Sequence, residues 1–600
     1  MRRSVTRNAT VLAIITAMLA ACSNGGGTSS GAIASGGTAT FAENQSSGTV
    51  NYIFPMDALQ YCQPSNAQFV YLQYRPLYSF GEGSQLVLNK SRSLAEPPIF
   101  SAGNTKVTIH LKGWRWSDGT PITSRDLTFW INLVKGTPNN WCQYIPGQFP
   151  DNISSIVSES DQQVTLTLDK AYSATWFTDT QLSQIIPIPQ HAWDKTSANG
   201  SIGDYDQSNS GAQAVYAFLN GQAQDLKSYA TNPLWQVVDG PWHLGAFRPE
   251  GYAELLPNSR YSGSPKPRLA KFVMEPFTSD TAEANVLQSK GLTYGYVPFE
   301  DLSQTRSFQA RGYDLVPWPL LSISYVLLNY HNPIIGPIFS QTYVRQAMQS
   351  LIDEPAWIKA FLGTAGLVTN GPTPLTPPGV YAPPSEATPR FPYNPDQAIT
   401  MLKDHGWNVQ PDGTTSCAQP GDGNGQCGAG VPSGAKLEFT LQYVNGSTGL
   451  SQMMQALKSS FSKAGIKVDL TQGTGNQVVA SASVCQPSEP ACSWQAVQWG
   501  VPAWIVSNPY PSGESVFGTG GGANSGSYSD PINDRNLHAI EQSDDPGNWT
   551  RYVDYLATQV PDLWIPNTVN QVSAISKKLH GAVPQSALAQ LTPEEWYFTQ

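Results

Sequence analysis

Cysteine is the residue type here best suited to covalent chemistry, and this 600-residue chain has seven: Cys22, Cys62, Cys142, Cys417, Cys427, Cys485 and Cys492. Setting Cys22 aside leaves an even set. Cys417 and Cys427 lie close in sequence, as do Cys485 and Cys492, which leaves Cys62 with Cys142 as the remaining disulfide. Six cysteines admit fifteen connectivities, so proximity suggests this pairing without fixing it. No C-x-x-C repeat or His–Cys ligand spacing occurs, and the scattered histidines never form H-E-x-x-H, so no metal site is expected. Gly27-Thr28-Ser29-Ser30-Gly31 matches G-x-S-x-G but lacks the flanking strand and helix of a nucleophile elbow. Gly518-Thr519-Gly520-Gly521-Gly522 is followed by no Lys-Ser/Thr pair and reads as a loop. Asp422, Asn424 and Gln426 alternate like calcium ligands, yet no bidentate acid completes them, and a solvated loop is expected. No catalytic residue and no cofactor is expected.

Aromatic surface is what the chain has in abundance: 17 Trp, 26 Tyr and 21 Phe. Rings recognise ligands through area and stacking without catalysing anything. The segment Trp499-Gly500-Val501-Pro502-Ala503-Trp504 combines large rings with backbone that a ligand can approach, and is the best candidate for a pocket wall. Charge argues against one partner class. With 34 basic and 44 acidic side chains the net charge is −10, and no polybasic block offers itself to phosphates, so nucleic acid is not expected.

The N-terminus reads as an address. Arg2, Arg3 and Arg7 precede an apolar run that is too short to span a bilayer, and Leu19-Ala20-Ala21-Cys22 follows. That pattern resembles the bacterial lipobox, which implies a signal peptide over 1–21, cleavage before Cys22 and a lipid on its sulfur. Removing 1–21 deletes three arginines and no acid, taking the net charge to −13. Residues 22–37 have the Gly/Ser composition of a flexible tether.

The remaining pattern is mixed α/β. Val107, Ile109 and Leu111 alternate as a strand with one buried face. Thr123 and Asp126 then fit a capping box, and Leu127, Trp130, Ile131 and Val134 form a helical stripe. A further helical stripe runs through Val344, Ala347, Met348 and Leu351, and Asn394, Pro395 and Gly406 frame another helix. Leu437 to Tyr443, a helix through Met454, Leu457 and Phe461, and a strand from Lys467 make a βαβ unit.

The chain resembles the family 5 extracellular solute-binding proteins, the oligopeptide and dipeptide receptors of ABC importers. The resemblance rests on the run from Val107 to Thr123, with Trp114-Arg115-Trp116-Ser117-Asp118-Gly119-Thr120-Pro121 at its centre. Asp239-Gly240-Pro241-Trp242, Pro257-Asn258-Ser259-Arg260-Tyr261, Leu328-Asn329, Tyr343-Val344-Arg345-Gln346-Ala347 with Ile352-Asp353, and Asn394-Pro395-Asp396 follow in order. It implies a two-lobed, type II periplasmic-binding-protein-like α/β fold with an extra subdomain. Lobe I would take 38–72, 191–322 and 566–600, the extra subdomain 73–190, and lobe II 323–565. The chain would cross between lobes at 322–329 and again at 564–567.

The resemblance further implies a lipid-anchored monomer on the outer face of the bacterial membrane. It would capture an oligopeptide-like solute and deliver it to ABC permease subunits. Tyr61 and Gln63 of lobe I, Tyr325 and Asn329 at the crossing, and Trp499, Gly500, Val501 and Trp504 of lobe II would bind it. One departure stands out: residues 500–510 contain no acid to pair with a peptide's α-amino group, and Glu514 is the first candidate. A carbohydrate or other small-solute receptor on the same fold is therefore the alternative, followed by a surface hydrolase and a signalling receptor.

Overall fold

The computed structural model describes residues 33–34, 36–43, 47–83, 85–376, 381–506 and 508–599. The signal segment, Cys22 and most of the tether lie outside them. A seven-stranded mixed sheet, in spatial order Tyr313–Trp318, Gln571–Ser576, Tyr294–Val297, Thr38–Phe41, Lys271–Met274, Ala253–Pro257 and Trp242–Phe247, forms the first lobe. The second is built on five strands, in order Lys467–Gly473, Glu438–Val444, Ala496–Gln498, Tyr325–Leu328 and Leu563–Trp564.

Local sequence explains the elements. Thr123 caps the helix Ser124–Gly136 and Asp126 reaches back to the Thr123 N–H, the reciprocal pairing that satisfies orphan helix donors. The apolar stripe Leu127, Trp130, Ile131 and Val134 is fully buried on the far side of the same helix. In the second lobe Glu438–Val444 and Lys467–Gly473 pair in parallel, joined by the helix Thr448–Ser462. Asn394 caps Pro395–Asp404, with proline in its first turn. The structure contains the disulfides Cys62–Cys142, Cys417–Cys427 and Cys485–Cys492.

A four-stranded antiparallel sheet, Ile99–Ser101, Lys106–His110, Gln163–Leu168 and Ile153–Ser160, lies within the stretch 73–190. It has no core of its own: Val107, Ile109, Trp130 and Val164 belong to one continuous apolar cluster with Phe41, Trp242 and Phe272 of the seven-stranded sheet. The five-stranded lobe has separate clusters.

Two expectations are corrected. The tether does not run free to residue 37, because Ile33–Ala34 pairs with Phe598 and Thr599, the Gly36 N–H donates to the Arg268 carbonyl, and the Gly37 carbonyl accepts from Ala270. Backbone groups with partners in the sheet hold this end down. The first crossing also lies earlier than 322–329: the chain leaves the first sheet at Trp318, and Tyr325–Leu328 is already a strand of the second.

Candidate functional site

Two stretches carry the chain between lobes, 319–324 outward and 565–570 back, and they run side by side. The Asn567 side-chain amide donates to the Ser322 carbonyl at 3.0 Å and to its hydroxyl at 3.1 Å, and its oxygen accepts from the Ser324 hydroxyl at 2.9 Å. All three residues are buried. One asparagine thus satisfies polar groups on both passages, where a buried unpaired group would be costly.

The aromatic segment docks against this junction. Ser322–Ile323 pairs with Trp504–Ile505, the Val506 N–H donates to the Leu321 carbonyl, and the Thr568 hydroxyl donates to the Val501 carbonyl at 3.2 Å. Gly500 adopts φ +131°, in the region that favours glycine, and is thus suited to its place between Trp499 and Val501. Trp499, Gly500, Val501 and Trp504 are all half-buried. Trp504 packs against the cores of both lobes, as does Tyr510.

Behind this wall, Phe517 is a hub that the sequence did not single out. Its ring meets Tyr325 at 6.3 Å, Trp504 at 6.2 Å and Trp564 at 5.8 Å. Tyr325 is 2% exposed, and its ring meets Trp499 edge-on at 6.4 Å, so it supports the wall rather than facing a ligand. Asn329 is fully buried. Its amide donates to the Trp494 carbonyl at 2.8 Å and its oxygen accepts from the His331 N–H at 3.0 Å. The resemblance placed it at the ligand; its amide instead joins the crossing strand to the Trp494 carbonyl and the Cys485 sulfur.

Tyr61 and Gln63 stand apart from the aromatic segment. Tyr61 stacks on Tyr52 at 4.2 Å with the rings 8° from parallel. The Gln63 amide donates to Asn51 at 3.1 Å. Among the described residues, no ring contact or hydrogen bond links either to 499–504.

The lobes meet a second time, through residues the motifs gave no reason to choose. The Trp176 indole N–H donates to Glu514 Oε1 at 2.7 Å, and the Ser512 hydroxyl donates to its other oxygen. Ser173 donates its N–H to the Glu541 carbonyl at 2.7 Å and its hydroxyl to Asp544. Gln148 donates to Glu541 Oε1 at 3.1 Å, and Lys170 lies 3.9 Å from Oε2. Burial raises Glu514 from its ordinary value against the pull of its hydrogen bonds to Ser512 and Trp176, and pushes Glu541 up to about 7 together with the charge of Glu514. Asp179, also between the lobes, is pushed up to about 7 by burial and by Asp544.

The metal-like groupings have other employment. Asp194, Asp204 and Asp206 all receive Arg125, and the sulfurs near Asp57 are bonded to each other as Cys62–Cys142. Among the described residues no helix is long and apolar enough to cross a membrane.

Comparison with known proteins gives this architecture its relatives. The profile of the bacterial extracellular solute-binding proteins, family 5, matches residues 91–524. Protein XP55 of Streptomyces lividans is 23% identical over 478 residues, 77% of this chain and 72% of that protein. The oligopeptide-binding protein AppA of Bacillus subtilis is 23% identical over 443 residues, 74% of this chain and 70% of that protein. A putative ABC transporter peptide-binding protein of Brucella ovis matches at 23% over 322 residues, about half of each chain. Among solved structures, that of Bacillus subtilis AppA with a nonapeptide superposes with a TM-score of 0.69 at 19% identity, covering 95% of this chain and 100% of that one. NikZ of Campylobacter jejuni with Ni(L-His) gives 0.68 at 18%, covering 93% and 99%.

Proposed function

Because the chain belongs to the bacterial extracellular solute-binding proteins of family 5, a family of transport receptors and not enzymes, we propose that it captures an oligopeptide-like solute between its lobes for delivery to an ABC permease. The observation that carries this reading is the double junction: two adjacent passages joined through Asn567 on one side, and the contact of Ser173 and Trp176 with Glu514, Glu541 and Asp544 on the other. A body joined at one edge and touching again at another can open and close by rotation about the passages. Ligand that touches both lobes shifts the balance toward the closed form, and only its preference for that form does so.

In this reading Trp499, Gly500, Val501 and Trp504 form the second-lobe wall and Tyr61 and Gln63 the first-lobe side. Lobe I takes 38–72, 191–322 and 566–600, the extra subdomain 73–190 and lobe II 323–565, with the boundary shifts described above. The receptor acts as a monomer, exported by residues 1–21 and held at the outer membrane face through lipid on Cys22. The peptide preference is drawn from relatives named for oligopeptides. Mass spectrometry of solute released from the natively purified protein, with small-angle scattering on adding a peptide library, tests it. A released peptide and peptide-dependent compaction are the expected results. Compaction by oligosaccharides alone would replace peptide with carbohydrate, and a new product appearing on incubation would overturn the receptor reading.

A further inference from the structure

The seven-stranded sheet has two ends with different neighbours. At one, Trp318 faces Gln571 and the chain passes to the second lobe; at the other, Tyr313 faces Ser576. This second end is also where the described residues begin. Ile33–Ala34 pairs with Phe598 and Thr599, whose strand pairs with Leu579–His580, and the Gly37 carbonyl accepts from Ala270 and Lys271 at the start of Lys271–Met274. Ten residues, 23–32, separate Cys22 from Ile33. A chain of that length spans at most about 40 Å in any shape, so lipid on Cys22 keeps this end of the first lobe close to the bilayer.

Charge at this end runs against the rest of the molecule. The chain carries −13 once 1–21 is removed, yet the turns that lead into or out of neighbouring strands here hold Arg311, Lys577, Lys578, Lys290, Lys266 and Arg268. All but Arg268 are exposed, and Arg268, half-buried, lies over the Tyr597 ring at 5.0 Å. Strands about 4.8 Å apart spread the six across about 20 Å. Among the described residues only Lys577 of the six meets a carboxylate, Asp314 at 3.9 Å. The neighbouring acids Glu254 and Glu595 are paired with Lys271 and Arg92. Such a row complements a plane of negative charge, and the tether decides which plane is within reach. Attraction to that plane acts within a Debye length, about 8 Å, well inside the span of the tether.

We propose that this end of the first lobe is a docking surface for the anionic lipid headgroups of the bilayer that carries the anchor. The proposal rests on the lipid-anchor reading above. Contact here turns the passages, at the opposite end of the sheet, and the second lobe beyond them away from the membrane. Each cation held at an anionic surface contributes about fivefold in affinity.

The test uses residues 22–600 with Cys22→Ser, which removes the lipid acceptor and leaves every described residue in place. Its sedimentation is followed with vesicles of phosphatidylcholine alone and with about one-third phosphatidylglycerol. Binding to the anionic vesicles is expected to exceed binding to the neutral ones about tenfold or more at ~0.05 M salt, and to vanish at ~0.5 M. Lys290→Glu, Lys577→Glu and Lys578→Glu together are expected to weaken it about tenfold or more. Lys403→Glu, Lys436→Glu and Lys458→Glu together change the net charge equally on exposed second-lobe positions and should leave it in place. The salt-dependent preference of the parent chain is read whether or not the variants fold. Equal binding to both vesicles, or an equal loss in both triple variants, overturns the docking surface. The mass of the native protein extracted from bacterial membranes reports the lipid separately. Lipid on Cys22 without vesicle preference strikes the surface and keeps the anchor; vesicle preference with an unlipidated Cys22 supports the surface and strikes the anchor.

Discussion

The two places where the lobes touch are built from different chemistry. At the passages, Ser322, Ser324 and Asn567 are neutral and buried, and their bonds run between chain segments that must stay together in every state. At the far contact, the carboxylates of Glu514, Glu541 and Asp544 accept from Trp176, Gln148 and Ser173 of the opposite lobe, and Asp544 and Lys170 reach solvent. Neutral buried bonds suit a permanent joint, because water cannot replace them without opening the fold. Charged groups at a rim suit a contact that forms and breaks, because each side regains hydration on parting.

The comparison is broken most severely by Asn567→Leu. This removes three buried hydrogen bonds and strands the groups on Ser322 and Ser324, so stability should fall by about 2–4 kcal/mol in urea denaturation. A loss under about 0.5 kcal/mol would mean that the strands alone make the joint. Trp176→Phe comes next. It withdraws the donor from Glu514 and, because the indole is fully buried and stacks on Tyr172 in the first-lobe core, also loosens that core, at a cost of about 2–3 kcal/mol. Scattering should report expansion, and the melting temperature should fall.

Acidity sharpens the contrast further. Asp179 is raised to about 7 by burial and by Asp544 of the opposite lobe, so parting the lobes should lower it, and the closed form holds a proton that the open form releases. Acids shifted upward favour the proton-binding state as pH falls. Moving from pH ~8 to pH ~5 should therefore compact the ligand-free protein, with the shift concentrated near the raised values. No change in scattering over that window would remove the acids from control of closure. The smallest effect is expected for Lys170→Met, whose half-exposed pair with Glu541 at 3.9 Å contributes about 0.5 kcal/mol or less.

Local elements were legible because their signals are local. The Thr123–Asp126 box, Asn394 before Pro395, and the strand and helix spacing around Leu441 and Met454 each announce themselves within a few residues, and the structure places each as read. The far contact was not legible. Trp176 and Glu514 lie 338 positions apart, and no motif marks either as half of a pair. Asn329 misled for a related reason: the resemblance to the family places it at the ligand, whereas its amide is consumed by the Trp494 carbonyl 165 positions away. Phe517 was passed over because a lone ring carries no pattern until the chain folds around it.

The unbroken apolar interior shared by the extra subdomain and its lobe has a mechanical consequence. The two form one body, so in the proposed closure a turn at the passages carries Ser173 and Trp176 with it. A binder that wedged apart the contact of Ser173 and Trp176 with Glu514 and Asp544 would hold that body back without ever reaching the cargo.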